Sequence, residues 1–279
     1  MQSERNQTQC CSEDRDPNHP ITTLMGVEID CVTLQESILW VCEQAQSGTG
    51  GFVVTVNLDH LRRCKLDPSY MNLVKDADLV VADGMPLVWA SRVQGEPLVP
   101  ERVAGSTMTV LLCEEAAKRG LSIYLLGGDE GVAERAAETL RQKYPAIEIA
   151  GYHCPPFGFE QSTDEMTKIR DGLIAASPDI VLVALGSPKQ ERLIQNIRSI
   201  CPQACWLGVG ISLSFLTGDV VRAPGWMQRF GLEWVHRLIQ EPKRLFKRYI
   251  IHGIPWGVRL MLVSLFSRFK RVKTSERSV

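Results

Sequence analysis

The chain has 279 residues, of which 44% are hydrophobic and 23% charged, with a formal net charge of −1. That is ordinary globular composition, enough for one large or two modest domains with a substantial core, and it excludes a low-complexity chain. The small net charge hides an asymmetry: residues 222–279 carry 13 Lys and Arg against three Asp and Glu, a net of +10, whereas the preceding 221 residues carry 18 against 29, a net of −11. A basic tail on an acidic body points to an anionic partner, and charge alone leaves phosphates, acidic lipid and nucleic acid open.

Residues 1–20 are polar, contain two prolines and have no apolar core of a secretory signal, so a disordered segment is expected there. The nine cysteines are odd in number, form no CxxC pair, and include a Cys10-Cys11 neighbour pair too close to bridge. Unpaired thiols in a reducing compartment are expected. From about residue 21 to 210, short β-branched runs alternate with helix-like runs. The runs cover 52–56, 79–82, 123–126, 147–150, 180–185 and 206–209, with helices expected at 106–118, 131–143 and 188–199. Near-continuous apolar strands separated by helices predict an α/β fold: a Rossmann-like, mostly parallel sheet with helices on both faces. After Gly210 strand runs stop. Gly218, Pro224 and Gly225 mark a boundary, giving a core at 21–221 and a basic helical appendage at 222–279.

In open parallel sheets, ligands bind beyond the carboxyl ends of the strands. Here those ends read Thr55-Val56-Asn57, Asp83-Gly84, Gly127-Gly128-Asp129, Gly186-Ser187-Pro188-Lys189-Gln190 and Gly208-Val209-Gly210. Any one of these glycines is explained by a tight turn, but five small and polar ends together predict a binding edge with helix N-termini facing phosphate. No GxxxxGK[ST] occurs, and Gly127-Gly128 lacks the GxGxxG spacing of a nicotinamide site. Asp83, directly after an apolar strand, is placed to accept a proton from an attacking hydroxyl; the competing reading is an N-cap for a helix starting near Pro86. Asp76-Ala77-Asp78 has the form of a metal-holding DxD but precedes its strand, on the wrong edge. His19, His60, His153, His236 and His252 show no paired spacing, so no catalytic zinc is expected. Arg102, just before a helix, can clamp a phosphate or sugar or be simply solvated.

In the tail, Arg237, Arg244 and one of Lys247 and Arg248 share a face if the helix is continuous, although Pro242 can kink it. The apolar stretch at 249–269 is interrupted by Arg259 and Arg268. Surface attachment is therefore expected in place of a span, against the alternative of a helix packed on the body.

These motifs, with Glu101-Arg102-Val103-Ala104-Gly105, Leu126-Gly127-Gly128, Arg222-Ala223-Pro224-Gly225-Trp226-Met227, Gly231-Leu232-Glu233-Trp234 and Glu241-Pro242, occur in an order that resembles the WecG/TagA/CpsF glycosyltransferases over roughly residues 24–250. The resemblance implies an inverting, metal-independent transferase without a cofactor. It implies a UDP-sugar donor (N-acetylmannosamine, its uronic acid, or glucose), a polyprenyl-diphosphate-linked acceptor and no nucleic-acid partner. It places the protein in the cytoplasm, peripheral on the inner face of the cytoplasmic membrane, in cell-surface polysaccharide synthesis. Carried over by position, Asp83 is the general base and Arg102 contacts substrate near the reacting centre. Thr55, Asn57 and Gln190 are sugar-site residues, with Gly127, Gly128 and Gly186 at the binding edge. Arg237, Arg244 and Lys247 close over the diphosphate. Ser214 stands where family members often have an acid, which removes a charge from a position expected to contact the nucleotide. A nicotinamide-dependent oxidoreductase and a non-enzymatic membrane adaptor are the alternative readings.

Overall fold

The computed structural model describes residues 19–95 and 97–275, without the side chains of Arg229 and 271–275. All but the last two residues of the segment expected to be disordered, 1–20, lie outside the described residues. The described chain opens with an antiparallel hairpin, β1 (Ile21–Leu24) and β2 (Val27–Asp30). Its turn places Met25 at φ 53° and Gly26 at φ 90°, the pair of positive values that a type I′ turn requires.

Six further strands follow: β3 (Gly51–Val56), β4 (Leu79–Ala82), β5 (Ser122–Gly127), β6 (Glu148–His153), β7 (Ile180–Ala184) and β8 (Cys205–Gly208). They form one parallel sheet in the order β4-β3-β8-β7-β5-β6. Ten helices accompany them up to and just beyond the last strand and into the tail: α1 (Leu34–Ser47), α2 (Leu58–Leu66), α3 (Pro68–Lys75), α4 (Met85–Gln94), α5 (Gly105–Arg119), α6 (Val132–Lys143), α7 (Thr163–Ala176), α8 (Lys189–Ile197), α9 (Ser212–Leu216) and α10 (Gly225–Arg229).

Alternate strand residues build two separate cores. Phe52, Val54, Val80, Leu126, Val181 and Trp206 face one side, where they meet the hairpin, α2, α3, α4, α7 and α8. Val53, Val81, Leu125, Leu182 and Leu207 face the other, against α1, α5, α6 and α9. Every residue of β4, β5, β7 and β8 is buried, because helices cover both faces. Burying each such aliphatic side chain contributes about 1.5–3 kcal/mol. The edge strand β4 is also shielded: the buried carboxylate of Asp30 on the hairpin accepts a hydrogen bond from Val80 N at 2.7 Å. The opposite edge, β6, is only partly covered.

The connections decide where a ligand can sit. The chain leaves β3 for β4 on one side, crosses to β5 and β6 on the other, then returns to β7 and β8 in the middle. The crevice therefore opens over the carboxyl ends of β3, β4, β7 and β8.

Beyond α9, among the described residues, only helices occur: α10, then α11 (Glu233–Gln240), α12 (Pro242–Phe246), a π-helical stretch (Lys247–Gly253) and α13 (Ile254–Ser275). The tail is not one continuous helix at the expected arginine stripe. Pro242 bars its predecessor from the helical region, and Glu241 takes φ −128°, ψ 61° between α11 and α12. From Pro242 to Lys270, however, the run is long and apolar enough to cross a membrane by length and composition, and 11% of its apolar 18-residue window is buried in the protein. It begins earlier than the sequence suggested, and Arg259 and Arg268 do not disqualify it. Along α13, Leu260 and Ser264 are buried and the helix packs on α4. Ile254, Val258, Leu262, Leu265 and Phe269 form an exposed apolar stripe on the opposite face.

Candidate active site

A cavity of about 580 Å³ lies at the predicted strand ends, roofed by the C-terminal helices. Thr55, Asn57, Asp83, Arg102, Gly186, Gln190, Arg237 and Arg244 all line it. Five arginines, Arg62, Arg102, Arg237, Arg244 and Arg248, face three carboxylates, Asp59, Asp83 and Glu233. The excess of fixed positive charge suits an anionic ligand.

Asp83 is not a helix cap. The residue before α4 is Gly84, and no side chain caps that helix. Asp83 instead points across to the start of α5, where Gly105 N donates to its Oδ2 at 3.4 Å. Space at Gly105 is tight on the side of Thr55: a Cβ there would stand 3.2 Å from Thr55 Oγ1, and 3.9 Å from Asp83 Oδ2. Burial raises the Asp83 pKa above the ordinary carboxylate value, Arg102 opposes that rise, and Glu233 adds to it. A carboxylate that holds its proton more tightly is a stronger base once ionised.

Asn57 caps α2, its Oδ1 accepting from Asp59 N at 3.0 Å and His60 N at 3.3 Å. Asn57 N donates to His60 Nδ1 at 3.3 Å, which leaves the ring proton on Nε2, 3.6 Å from Glu191 Oε1. Burial works to raise the Glu191 pKa, yet His60 and Gln190 hold it below the ordinary range. Gln190 Nε2 donates to Glu191 Oε1 at 2.8 Å, and Gln190 Oε1 accepts from Gly210 N at 2.9 Å. Gln190 is thus tied at both ends of its amide and lies flat on Gly208, where a Cβ would come within 2.5 Å of Nε2. Sequence reasoning missed His60 as a partner in this chain; Glu191 was present in the quoted motif but had no assigned role.

The roof supplies the cations. Arg237 lies on α11 and has no carboxylate partner among the described residues, and its buried Nε has no hydrogen-bond partner. Arg244, on α12, pairs with Glu241. Arg248, on the π-helical stretch, stands 3.5 Å from Asp59 of α2. Trp234 and Tyr249 line the roof edge to face, 6.0 Å apart. Lys247, which the resemblance placed over the diphosphate, does not line the cavity; its neighbour Arg248, on the wider π turn, does.

Three other expected site residues lie outside the cavity lining: Gly127, Gly128 and Ser214. Gly127 and Gly128 end β5, which the strand order sets beyond β7, away from the crevice. Their reason for being glycine is local. Gly127 has φ 107°, and a Cβ would meet Ala184 O at 2.7 Å; a Cβ on Gly128 would meet Val132 at 2.9 Å. Gly127→Ala is expected to destabilise the fold by about 2–4 kcal/mol, read as a lower urea midpoint, through strain at positive φ and a backbone clash. Ser214, on α9, spends its carbonyl on Thr217 Oγ1 and Val220 N, while Ser212 and Phe215 of the same helix face the cavity.

Asp76 and Asp78 sit at the amino edge of β4 and serve the fold. Asp78 accepts from Phe52 N at 2.7 Å and pairs with Arg198 at 3.2 Å, and Asp76 accepts from Gln195 Nε2 at 2.6 Å. Among the described residues no group of three His, Cys, Asp or Glu side chains is placed to hold a metal ion.

The Glycosyl transferase WecG/TagA/CpsF family matches residues 22–271. The chain is 33% identical over 195 residues, 70% of its length and 73% of the relative's, to the N-acetylglucosaminyldiphosphoundecaprenol N-acetyl-beta-D-mannosaminyltransferase of Bacillus spizizenii. It is 34% identical over the same length and shares to the enzyme of that name from Bacillus subtilis. With a match across most of the chain and a parallel-sheet crevice of the expected form, the oxidoreductase and adaptor readings fall away, and the protein belongs to the WecG/TagA/CpsF family of glycosyltransferases.

Proposed function

We propose that the enzyme transfers an N-acetylmannosaminyl group from a UDP-sugar to N-acetylglucosaminyl-diphospho-polyprenol, with inversion at the anomeric carbon. The observation that carries this reading is that one cavity holds both the Asp83 carboxylate and Arg237, a cation with no carboxylate partner among the described residues. The donor diphosphate lies beneath the roof arginines and against the uncapped start of α5. Asp83 takes the proton of the acceptor hydroxyl as that oxygen attacks the anomeric carbon and the bond to the diphosphate breaks. Arg237, Arg244 and Arg248 meet the charge that builds on the leaving UDP, a role that metal ions fill in other transferases. Thr55, Asn57 and Gln190 hold the sugar.

The exposed stripe of α13 lies in the inner face of the cytoplasmic membrane, where a lipid-linked acceptor resides. One face of α13 is occupied by α4, which favours a helix lying in the interface over one that crosses. The test is a panel of UDP-sugars offered with a short-chain polyprenyl-diphosphate-GlcNAc acceptor in anionic liposomes. We expect a product heavier by one N-acetylhexosamine from UDP-N-acetylmannosamine, and enzyme that floats with the liposomes. No product from any UDP-sugar, or enzyme that stays behind, would sink the corresponding half of the reading.

A further inference from the structure

The roof also brings an acid into the cavity. Glu233, at the start of α11, accepts from Arg102 Nη1 at 3.1 Å, and its other oxygen stands 4.0 Å from Arg222 Nε. Arg222 is anchored in turn by Nη2 donating to Thr107 Oγ1 of α5 at 2.6 Å. The Arg102 and Glu233 side chains are 15% and 16% exposed, so the contact is not a solvated surface pair whose strength water would screen.

The charged surroundings of Asp83 come from four places. Arg102 faces it from the loop before α5, Glu233 from α11, His60 from α2 and Arg222 from the segment before α10. The N–H of Gly105 adds a dipole. Two guanidinium groups beside a carboxylate favour its ionised form so strongly that it becomes a feeble proton acceptor. An acid interposed between them offsets that pull. Glu233 has this position, and it is reached only when α11 is seated on the core.

We propose that Glu233 is a positioning residue for sugar transfer: it orients Arg102 and neutralises the Arg102–Arg222 pair, so that Asp83 is a competent base only beneath the closed roof. This rests on the assignment of Asp83 as base. A site assembled from core and roof in this way ties proton transfer to closure, which limits wasteful attack by water on the donor while the cavity stands open.

The experiment is the pH profile of kcat and kcat/KM for full-length Glu233→Gln, with Glu233→Asp and Asp83→Asn in parallel. We expect the acid limb of Glu233→Gln to move to lower pH by about one unit, as loss of a neighbouring negative charge requires. The plateau of kcat falls roughly tenfold for a weaker base, with the donor KM nearly unchanged. Glu233→Asp, which keeps the charge, moves the limb back toward its original midpoint. A uniformly lower profile with an unmoved midpoint, or a raised KM with unchanged kcat, would overturn the proposal. If Glu233→Gln is too unstable to assay, Glu233→Ala, which removes the same charge, is read in its place, and an unmoved acid limb there counts against the proposal equally. If Asp83→Asn keeps both activity and acid limb, it is the base assignment that fails.

Discussion

Asp83→Asn is expected to lower kcat by about 10²–10⁴-fold, the usual contribution of a positioned general base, while UDP-sugar binding persists. The substitution keeps the shape and removes only the capacity to take a proton. The Asp83 side chain accepts one weak bond, from Gly105 N at 3.4 Å, and caps no helix. The fold therefore loses little, and the sign of the stability change can be worked out. The folded-state pKa is raised by burial. The native state then binds this proton more tightly than the unfolded chain does, so its stability falls as pH rises toward the folded pKa and stays reduced above it. Asn cannot ionise and so escapes this loss above the ordinary carboxylate range, and the variant's thermal midpoint there should equal or exceed that of the parent. Isothermal titration with the donor, single-turnover kinetics and a thermal melt together check this. A variant that turns over normally, or that melts early and binds no donor, would take Asp83 out of the base role.

Arg237→Gln is expected to cost about 10²–10³-fold in kcat, in the range for removing one preorganised donor from developing charge. The grounds lie in the contrast between the three roof arginines. Arg244 is paired with Glu241 on its own turn and is 62% exposed; Arg248 is engaged by Asp59. The Nε atoms of Arg237 and Arg248 are both buried without a hydrogen bond, but Arg237 alone of the three has no carboxylate partner among the described residues. A partly buried guanidinium with no partner for its buried Nε is costly unless a ligand meets it. Arg244→Gln should therefore lose less than Arg237→Gln, and Arg237→Lys should recover part of the activity, because charge returns without the planar fork. Steady-state kinetics on the three variants decide the order, and equal small losses at both positions would refute the assignment of the leaving-group contact to Arg237.

Strands β4, β5, β7 and β8 were legible because each is buried on both faces and reads as a mostly apolar run; residues 79–82 were placed to the residue. The hairpin was not, because its alternating Ile21–Leu24 and Val27–Asp30 are four residues each and turn through Met25-Gly26 without the Asn or Asp that usually marks such a turn. Asp83 could be placed at a strand end, yet only the third dimension showed that it turns away from its own helix toward Gly105. Gly127 and Gly128 look like Gly186 in one dimension. Strand order alone separates them, since β5 lies beyond β7 and a periodicity carries no lateral order. In the roof, helix spacing left Lys247 and Arg248 open and the resemblance chose Lys247, but past the break at Pro242 it is Arg248 that lines the cavity. Glu233 was quoted within a motif but had no chemistry to announce it until Arg102 and Arg222 were seen on either side.

The two flanks of the sheet are unequal in what they permit. With Asp30 occupying the Val80 amide, the hairpin shields the edge of β4 beside Asp83. The partly bare β6, bearing the exposed Tyr152, lies four strands away from β3. If copies of this enzyme crowd together and add strand to strand, they must zip along that remote margin, and the entrance to the cavity stays clear of the join.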